Sequence, residues 1–148
     1  MDATREVTIT GRARVDFEVG DAVYIFYQNS EANPTDIGVS FSKPPTSGNE
    51  GRVVHGAAIT NAKSGELMTV RLAFAGTLGI KVNWTGNLTP GTLLYPPAES
   101  ADSLSAIPGA FRTNALGFYV GKDIHPESVS GQICEVLIVR VGPDYSVV

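Results

Sequence analysis

The chain is poor in the residues that most often carry redox, metal or nucleophilic chemistry. It has one cysteine, Cys134, and two histidines, His55 and His125, among 148 residues. A single thiol excludes an internal disulfide and a cysteine-rich zinc site. Neither histidine belongs to a metal-binding motif, and the sequence contains no phosphate-binding loop and no nucleophile elbow. We therefore predict that the chain is not an enzyme and expect no catalytic, cofactor-binding or metal-binding residues.

Positive charge and long apolar runs are also scarce. Charged residues make up 18% of the chain, its formal net charge is −4, and its basic residues cluster only loosely, at Arg5, Arg12 and Arg14. Binding to a phosphate backbone needs several converging cations, and a membrane-spanning helix needs about 18 consecutive apolar residues. We expect neither a nucleic-acid nor a membrane partner. The low charge fits a surface covered by another chain, and equally a β-rich domain coated with Thr, Ser and Asn.

What the sequence does contain is the two-residue period of half-buried strands. Apolar and polar residues alternate over residues 13–17, 37–41, 68–74 and 80–84. Sixteen Gly and nine Pro separate such segments, and no sustained helical stripe occurs. The only short helix candidate covers residues 98–105. The pattern predicts an all-β fold: a compact antiparallel β-barrel or β-sandwich, with a β-tulip-like form among the options.

Two runs, residues 23–27 and 133–141, are apolar on nearly both faces. Such strands lie centrally in a sheet, or one of their faces meets a partner subunit. Long polar loops are expected over residues 28–36, 42–50 and 96–112, because they are rich in Pro, Asn and Ser.

Short segments of the first half return in the second half. The sequence Gly-Asp-Ala-Val-Tyr at 20–24 is echoed by Gly-Thr-Leu-Leu-Tyr at 91–95, and residues 65–70 are echoed by residues 131–136 in the same order. A fixed order of repeated segments favours an internal duplication. The alternative is that a glycine turn followed by a strand is common in every β protein.

These features predict the organisation of the chain. We expect an extended N-terminal arm over residues 1–14, one β domain over residues 15–142 and a C-terminal tail over residues 143–148. If the duplication is real, the domain divides into related halves at about 15–76 and 77–142.

Residues of the arm and exposed aromatic side chains are the candidates for an interface. Arms can add a strand to the sheet edge of a neighbour, and aromatic residues dominate the binding energy of many interfaces. For Trp84, packing in the core is the alternative to a role as an interface anchor. The candidate interface residues are Arg5, Val7, Ile9, Arg12, Arg14, Tyr24, Phe26 and Trp84.

Several of these motifs together resemble a known family. Gly-Asp-Ala-Val-Tyr at 20–24, Leu-Thr-Pro-Gly-Thr-Leu-Leu-Tyr at 88–95, Ala-Leu-Gly-Phe-Tyr-Val-Gly-Lys-Asp at 115–123 and the closing Ile-Cys-Glu-Val-Leu-Ile-Val-Arg-Val at 133–141 look like the small head-decoration, or cement, proteins of tailed bacteriophages. The first fifteen residues and residues 28–50 lie outside the resemblance.

The resemblance implies a structural role. Such proteins bind the outer surface of the expanded capsid, as trimers at threefold or quasi-threefold points, and brace it against internal DNA pressure. The implied partners are the major capsid protein and further copies of the chain. Because no secretory signal is visible, we expect synthesis in the host cytoplasm, and the resemblance implies a final location on the outside of the virion.

Two other functions stay open. Trimeric dUTPases are all-β chains of similar length, and residues 131–136 faintly resemble one of their strands, although their other motifs are lacking. A carbohydrate-binding or adhesion module would use Trp84 and the tyrosines to stack on sugars.

Overall fold

A computed structural model describes most of the chain. The described residues are 6–27, 38–44, 53–74, 76–84, 87–97, 102–106, 115–123 and 132–138. Within them the chain forms ten strands and no helix, which confirms the predicted all-β class. The described residues accordingly contain no helix long and apolar enough to cross a membrane.

The strands form two sheets. The first sheet is a closed barrel of β1 (Thr8–Ala13), β2 (Ala22–Tyr27), β3 (Val39–Ser42), β4 (Gly56–Ala58) and β5 (Leu67–Leu72). The second sheet contains β6 (Thr77–Asn83), β7 (Leu93–Leu94), β8 (Leu104–Ser105), β9 (Gly117–Asp123) and β10 (Gln132–Ile138). Each sheet therefore takes its strands from one continuous part of the chain, 8–72 or 77–138. Whether the two parts descend from one duplicated unit stays a prediction.

The barrel has the strand order β1-β3-β2-β4-β5, and β5 pairs with β1 to close it. The alternation predicted from sequence decides which side chains enter it: Val23, Phe41, Met68 and Val70 are almost fully buried inside. The pairing of β1 with β3 is parallel, as is that of β6 with β8, so the predicted antiparallel arrangement holds for the remaining pairs.

The second sheet has the order β7-β9-β10-β6-β8. Its long central strand, β10, pairs antiparallel with β6 and β9, and its register against β9 shifts between Cys134 and Val136. The part of the predicted apolar run 133–141 that the structure describes, in β10, thus lies centrally in the sheet. The buried core beneath this sheet also includes Ala22, Ala57 and Ala73 from the first part of the chain. The core beneath the second sheet is therefore shared with residues of the barrel part, and it is separate from the buried cluster inside the barrel.

The prediction of an arm over residues 1–14 is wrong for residues 8–13, which form β1 inside the barrel. Ile9, Gly11 and Ala13 face inwards, and a Cβ at Gly11 would lie 2.8 Å from the ring of Phe41. The segment is short and rich in polar residues, among them Arg12, but its inward residues fit between β5 and β3. Residues 1–5 and the predicted tail at 143–148 lie outside the described residues.

Residues 104 and 105 of the short helix candidate form β8 instead, since they pair with Val82 and Asn83 of β6. Residues 98–101 and most of the predicted loop residues, at 28–36, 45–50 and 107–112, lie outside the described part of the chain.

Candidate functional site

The structure brings four of the candidate interface residues together on the outside of the barrel. Arg12 of β1 and Phe26 of β2 both pair with Ser40 of the intervening strand β3. Because Phe41, the next residue of β3, points into the core, this row of side chains points outwards. Tyr24 lies two residues from Phe26 on the same side of β2. We call this surface, with Arg14, the outer barrel face.

Two ring contacts organise the outer barrel face. The guanidinium carbon of Arg14 lies 4.6 Å from the centroid of the Phe26 ring, a cation–π contact. The Tyr24 ring lies 5.1 Å from that of His55, at an interplanar angle of 44°. Arg14 is exposed while both aromatic residues are partly buried, so this face presents a cation above a half-covered aromatic row.

His55 has a structural task at the edge of this face. Its Nδ1 accepts a hydrogen bond of 2.8 Å from the backbone N–H of Ile25. Strand β4 pairs with β2 only at Ala22 and Val23, so the imidazole takes up an N–H that lies beyond the strand pairing. His55 therefore completes the backbone hydrogen bonding of β2 at this point. His125 lies outside the described residues.

The other candidate interface residues lie elsewhere. Ile9 packs against the barrel core, and Trp84, which follows β6, packs against the core of the second sheet. Val7 is 42% exposed just before β1, and its carbonyl accepts a hydrogen bond from the N–H of Leu72. Arg5 lies outside the described residues. No single surface therefore unites the eight predicted positions.

A second cluster, which the sequence analysis missed, lies where the two sheets meet. Asp21 is only 3% exposed. Its Oδ2 accepts hydrogen bonds from Lys43 Nζ at 2.6 Å and from the backbone N–H of Glu18 at 2.7 Å, and its Oδ1 accepts one from Lys81 Nζ at 2.5 Å. Lys81 belongs to β6 of the second sheet, whereas Asp21 and Lys43 flank barrel strands. We call this cluster the ionic junction.

More exposed carboxylates complete the ionic junction. Lys81 Nζ also lies 3.1 Å from Glu18 Oε2, and Lys43 Nζ lies 2.6 Å from Asp102 Oδ1. The ammonium of Lys43 further lies 4.4 Å from the centroid of the Phe17 ring. Each lysine therefore has a buried and a more accessible carboxylate partner.

The pKa values of the junction follow from these contacts. Burial is the largest influence on Asp21 and by itself would raise its pKa, but the hydrogen bonds from Lys43, Lys81 and the Glu18 N–H together outweigh burial and lower it. Burial likewise opposes the charge on Lys81, yet the bonds to Asp21 and Glu18 raise its pKa. Both groups are held in their ionised forms, the opposite of a lysine nucleophile or a carboxylic acid donor.

The backbone of Gly20 joins the sheets beside the ionic junction. Its N–H donates to the carbonyl of Ala58 and its carbonyl accepts from the N–H of Lys81, both at 2.8 Å. Gly20 has a φ of 90°, and a Cβ there would lie 2.7 Å from the side chain of Ile133 in β10. A residue without a side chain is thus needed for the barrel to approach the second sheet this closely.

Within the described residues, no group of three or more His, Cys, Asp or Glu side chains could hold a metal ion. Cys134 is a buried thiol in the core of the second sheet. The only local signal for the junction was Asp21 within the repeated glycine motif, because its lysine partners are 22 and 60 residues away along the chain.

Comparison with known proteins shows similarity at the level of the solved structures. No protein-family model and no curated protein matches the chain. Among solved structures, it is similar to the N base of the head fiber protein gp8.5 of bacteriophage phi29, with a TM-score of 0.60 and 14% sequence identity. The similarity covers 93% of this chain and 97% of that chain. At this identity, the likeness shows that the two chains share a fold.

Proposed function

We propose that the chain is a structural protein of a bacteriophage virion. It binds the outer surface of the capsid as a homotrimer at threefold points and stabilises the expanded head. The observation that carries the proposal is the fold shared, over almost the whole of both chains, with the base of a phage head fiber. Since one fold can host several functions, the remaining support has to come from the surfaces of this chain.

The two sheets fit the mechanical demands of such a role. A brace must transmit force without yielding, and closing the barrel removes the free edges of its sheet. The ionic junction and the shared core connect the barrel to the second sheet, so a force on one sheet reaches the other through buried contacts. The outer barrel face, with Arg14 over Phe26, is our proposed contact with the major capsid protein.

The direct test is decoration of heads. Mature heads of the phage whose genome encodes the protein are prepared without the protein. Purified protein is then added to these heads, and the bound protein is measured by co-sedimentation. Arg14→Glu should reduce the affinity about tenfold, because it reverses the charge above Phe26 and costs roughly 1.4 kcal/mol of binding. Lys63→Glu is the matched control: its side chain is 78% exposed, it pairs with Asp16 at 3.6 Å instead of lying over an aromatic ring of this face, and the variant should bind like the wild type.

Wild-type protein that stays in the supernatant at micromolar concentration would contradict the proposal. Equal binding by both variants would leave decoration standing and remove the outer barrel face from the contact. A dUTP hydrolysis assay with magnesium and a glycan array address the two alternatives, and turnover or selective glycan binding would replace the structural assignment.

A further inference from the structure

An apolar cleft opens on the surface where the barrel meets the second sheet. It has a volume of about 260 Å³ and lies between Val19 and Ile59 on the barrel side and Gly79 and Ile133 on the other. Val19 and Ile59 are 42% and 44% exposed. These two exposed apolar side chains border the opening, and we call the site the seam cleft.

The rim of the seam cleft is polar. Arg71 of β5 and Glu6 line it, with Arg71 Nη1 and Glu6 Oε1 3.6 Å apart. The Arg71 side chain is 16% exposed, so its guanidinium is held in place beside the opening. A positive group at the rim favours an aromatic occupant, because a cation is attracted to the face of an aromatic ring.

The same chain carries a side chain of the matching kind. Phe74 is 75% exposed, the most exposed large apolar side chain in the described part of the chain. It lies in the short connection between β5 and β6, where its N–H donates to the carbonyl of Leu72 at 3.0 Å in a tight turn. That turn holds the ring outside both sheets.

We propose that Phe74 of one copy inserts into the seam cleft of a neighbouring copy. A volume of about 260 Å³ is smaller than a typical pocket for a drug-sized ligand and suits a single aromatic side chain. In the proposed homotrimer this contact is head-to-tail, because a threefold axis repeats it from copy to copy around a closed ring, whereas a twofold axis would exchange it between two copies. This inference rests on the homotrimer of the proposed function and names the contact that builds it.

The buried area indicates what this contact contributes. A covered aromatic side chain buries roughly 150–250 Å², whereas a stable interface needs about 800 Å² from each partner. Phe74 is therefore the central anchor of a larger interface, surrounded by the exposed parts of Val19 and Ile59. The low charge of the chain, 18% of its residues, is consistent with further surface being covered by neighbouring copies.

Site-directed disulfide cross-linking tests the contact. Phe74→Cys and Ile59→Cys are prepared as separate proteins, and the buried Cys134 does not compete because its exposure is 0%. Mixing and oxidising the two variants should give a cross-linked dimer of one copy of each, and neither variant alone should cross-link. The double variant should give a covalently closed trimer. Leu93→Cys, which is 43% exposed outside the cleft, replaces Ile59→Cys in the control mixture and should not cross-link.

A non-covalent readout uses Phe74→Ser, with Leu67→Ser as its matched control on another exposed residue. Light scattering should show that Phe74→Ser loses the trimer at concentrations where the wild type and the control keep it. Since Phe74 lies outside both cores, the variant should retain the wild-type circular dichroism spectrum.

Both measurements are made on free protein and on decorated heads. Cross-linking of Phe74→Cys with itself, or the absence of a mixed cross-link on decorated heads, would overturn the inference while the proposed function stands. A mixed cross-link in free protein that never binds heads would support the inference and refute decoration. Wild-type protein that is monomeric in both settings would also overturn the inference.

Discussion

Replacing Asp21 with Asn should weaken the attachment of the barrel to the second sheet. The change conserves shape but removes the charge that lies between Lys43 and Lys81. A carboxylate has two acceptor oxygens, and here Oδ2 serves Lys43 and the Glu18 N–H while Oδ1 serves Lys81. An amide has one acceptor oxygen, so its NH₂ group must face one of the two ammonium groups.

The size of the effect follows from burial. Removing one partner of a buried ion pair typically costs about 3–5 kcal/mol, because the other charge is left without compensation. In this protein each lysine keeps a second carboxylate, Glu18 or Asp102, and about a sixth of each lysine side chain is exposed. We therefore expect Asp21→Asn to lower the free energy of unfolding at pH 7 by about 2–4 kcal/mol. That is a large part of the roughly 5–15 kcal/mol typical of a domain.

The effect should depend on pH with a defined sign. The pKa of Asp21 is lower in the folded protein than its ordinary value of 3.8, so its stabilising contribution is fully present above that value. The contribution is lost as the pH falls from about 4 through the lowered folded-state pKa. The pKa of Lys81 is raised above 10.5, so its contribution is complete below that pH and is lost only in stronger alkali. The difference between wild type and variant should be constant near neutrality and shrink in acid.

Urea unfolding, followed by tryptophan fluorescence at a series of pH values from 2 to 8, measures this difference. Lys63→Gln is the control, since it removes an exposed charge whose ion pair with Asp16 spans 3.6 Å, and it should leave stability nearly unchanged. A loss of less than about 0.5 kcal/mol for Asp21→Asn at pH 7 would refute the conclusion that the ionic junction stabilises the fold. A loss of stability that is as large at pH 2 as at pH 7 would also refute it.

Three further changes probe other parts of the fold. Gly20→Ala and Gly65→Ala both place a methyl group at a φ near 90°, but only at Gly20 would the methyl group meet another side chain. In urea unfolding, Gly65→Ala should lower the free energy of unfolding by about 1–2 kcal/mol, and Gly20→Ala should lower it by about 1–3 kcal/mol more. Equal losses would contradict the close approach of the two sheets at Gly20. His55→Ala removes the acceptor for the N–H of Ile25 and should cost about 1–3 kcal/mol, with faster hydrogen exchange at that amide as the specific sign; unchanged exchange there would show that the imidazole is dispensable. Cys134 should react with a thiol reagent only as fast as the protein opens, since it is fully buried, and rapid labelling of the native protein would contradict its place in the core.

Strands were predictable where a local pattern decides burial. β5 and β6 each alternate between core and surface side chains, as the sequence indicated, because the pleat of a strand directs successive side chains to opposite sides whatever its partners are. β1 carries the same alternation, yet the prediction over residues 1–14 is an arm. Its place depends on β5 and β3, which are distant in sequence, and only their pairing shows that Gly11 and Ala13 fill the barrel.

For the candidate interface residues, too, the sequence predicts some features and strand pairing decides the others. Arg12 and Arg14 are candidates because they lie in the predicted arm, and Tyr24 and Phe26 because they are aromatic, yet their common location on one face comes from the register of β1, β3 and β2. Ile9 of the arm and the aromatic Trp84 are candidates on the same two grounds, and they pack against the two cores instead. Residue type states what a side chain can do, while strand pairing determines which side chains meet.

The sequence by itself determined the all-β class and the placement of five of the ten described strands, β2, β3, β5, β6 and β10, since composition, short apolar runs and the two-residue period act over a few neighbouring residues. The tertiary structure alone decided the closure of the barrel, the parallel pairs, and the contact of Asp21 with lysines 22 and 60 positions away. It also decided where the seam cleft opens and that the ring of Phe74 is exposed. The physical reason is that long-range pairing minimises the buried unpaired polar groups and the exposed apolar area of the whole molecule. Neither quantity can be evaluated from a short stretch of the chain.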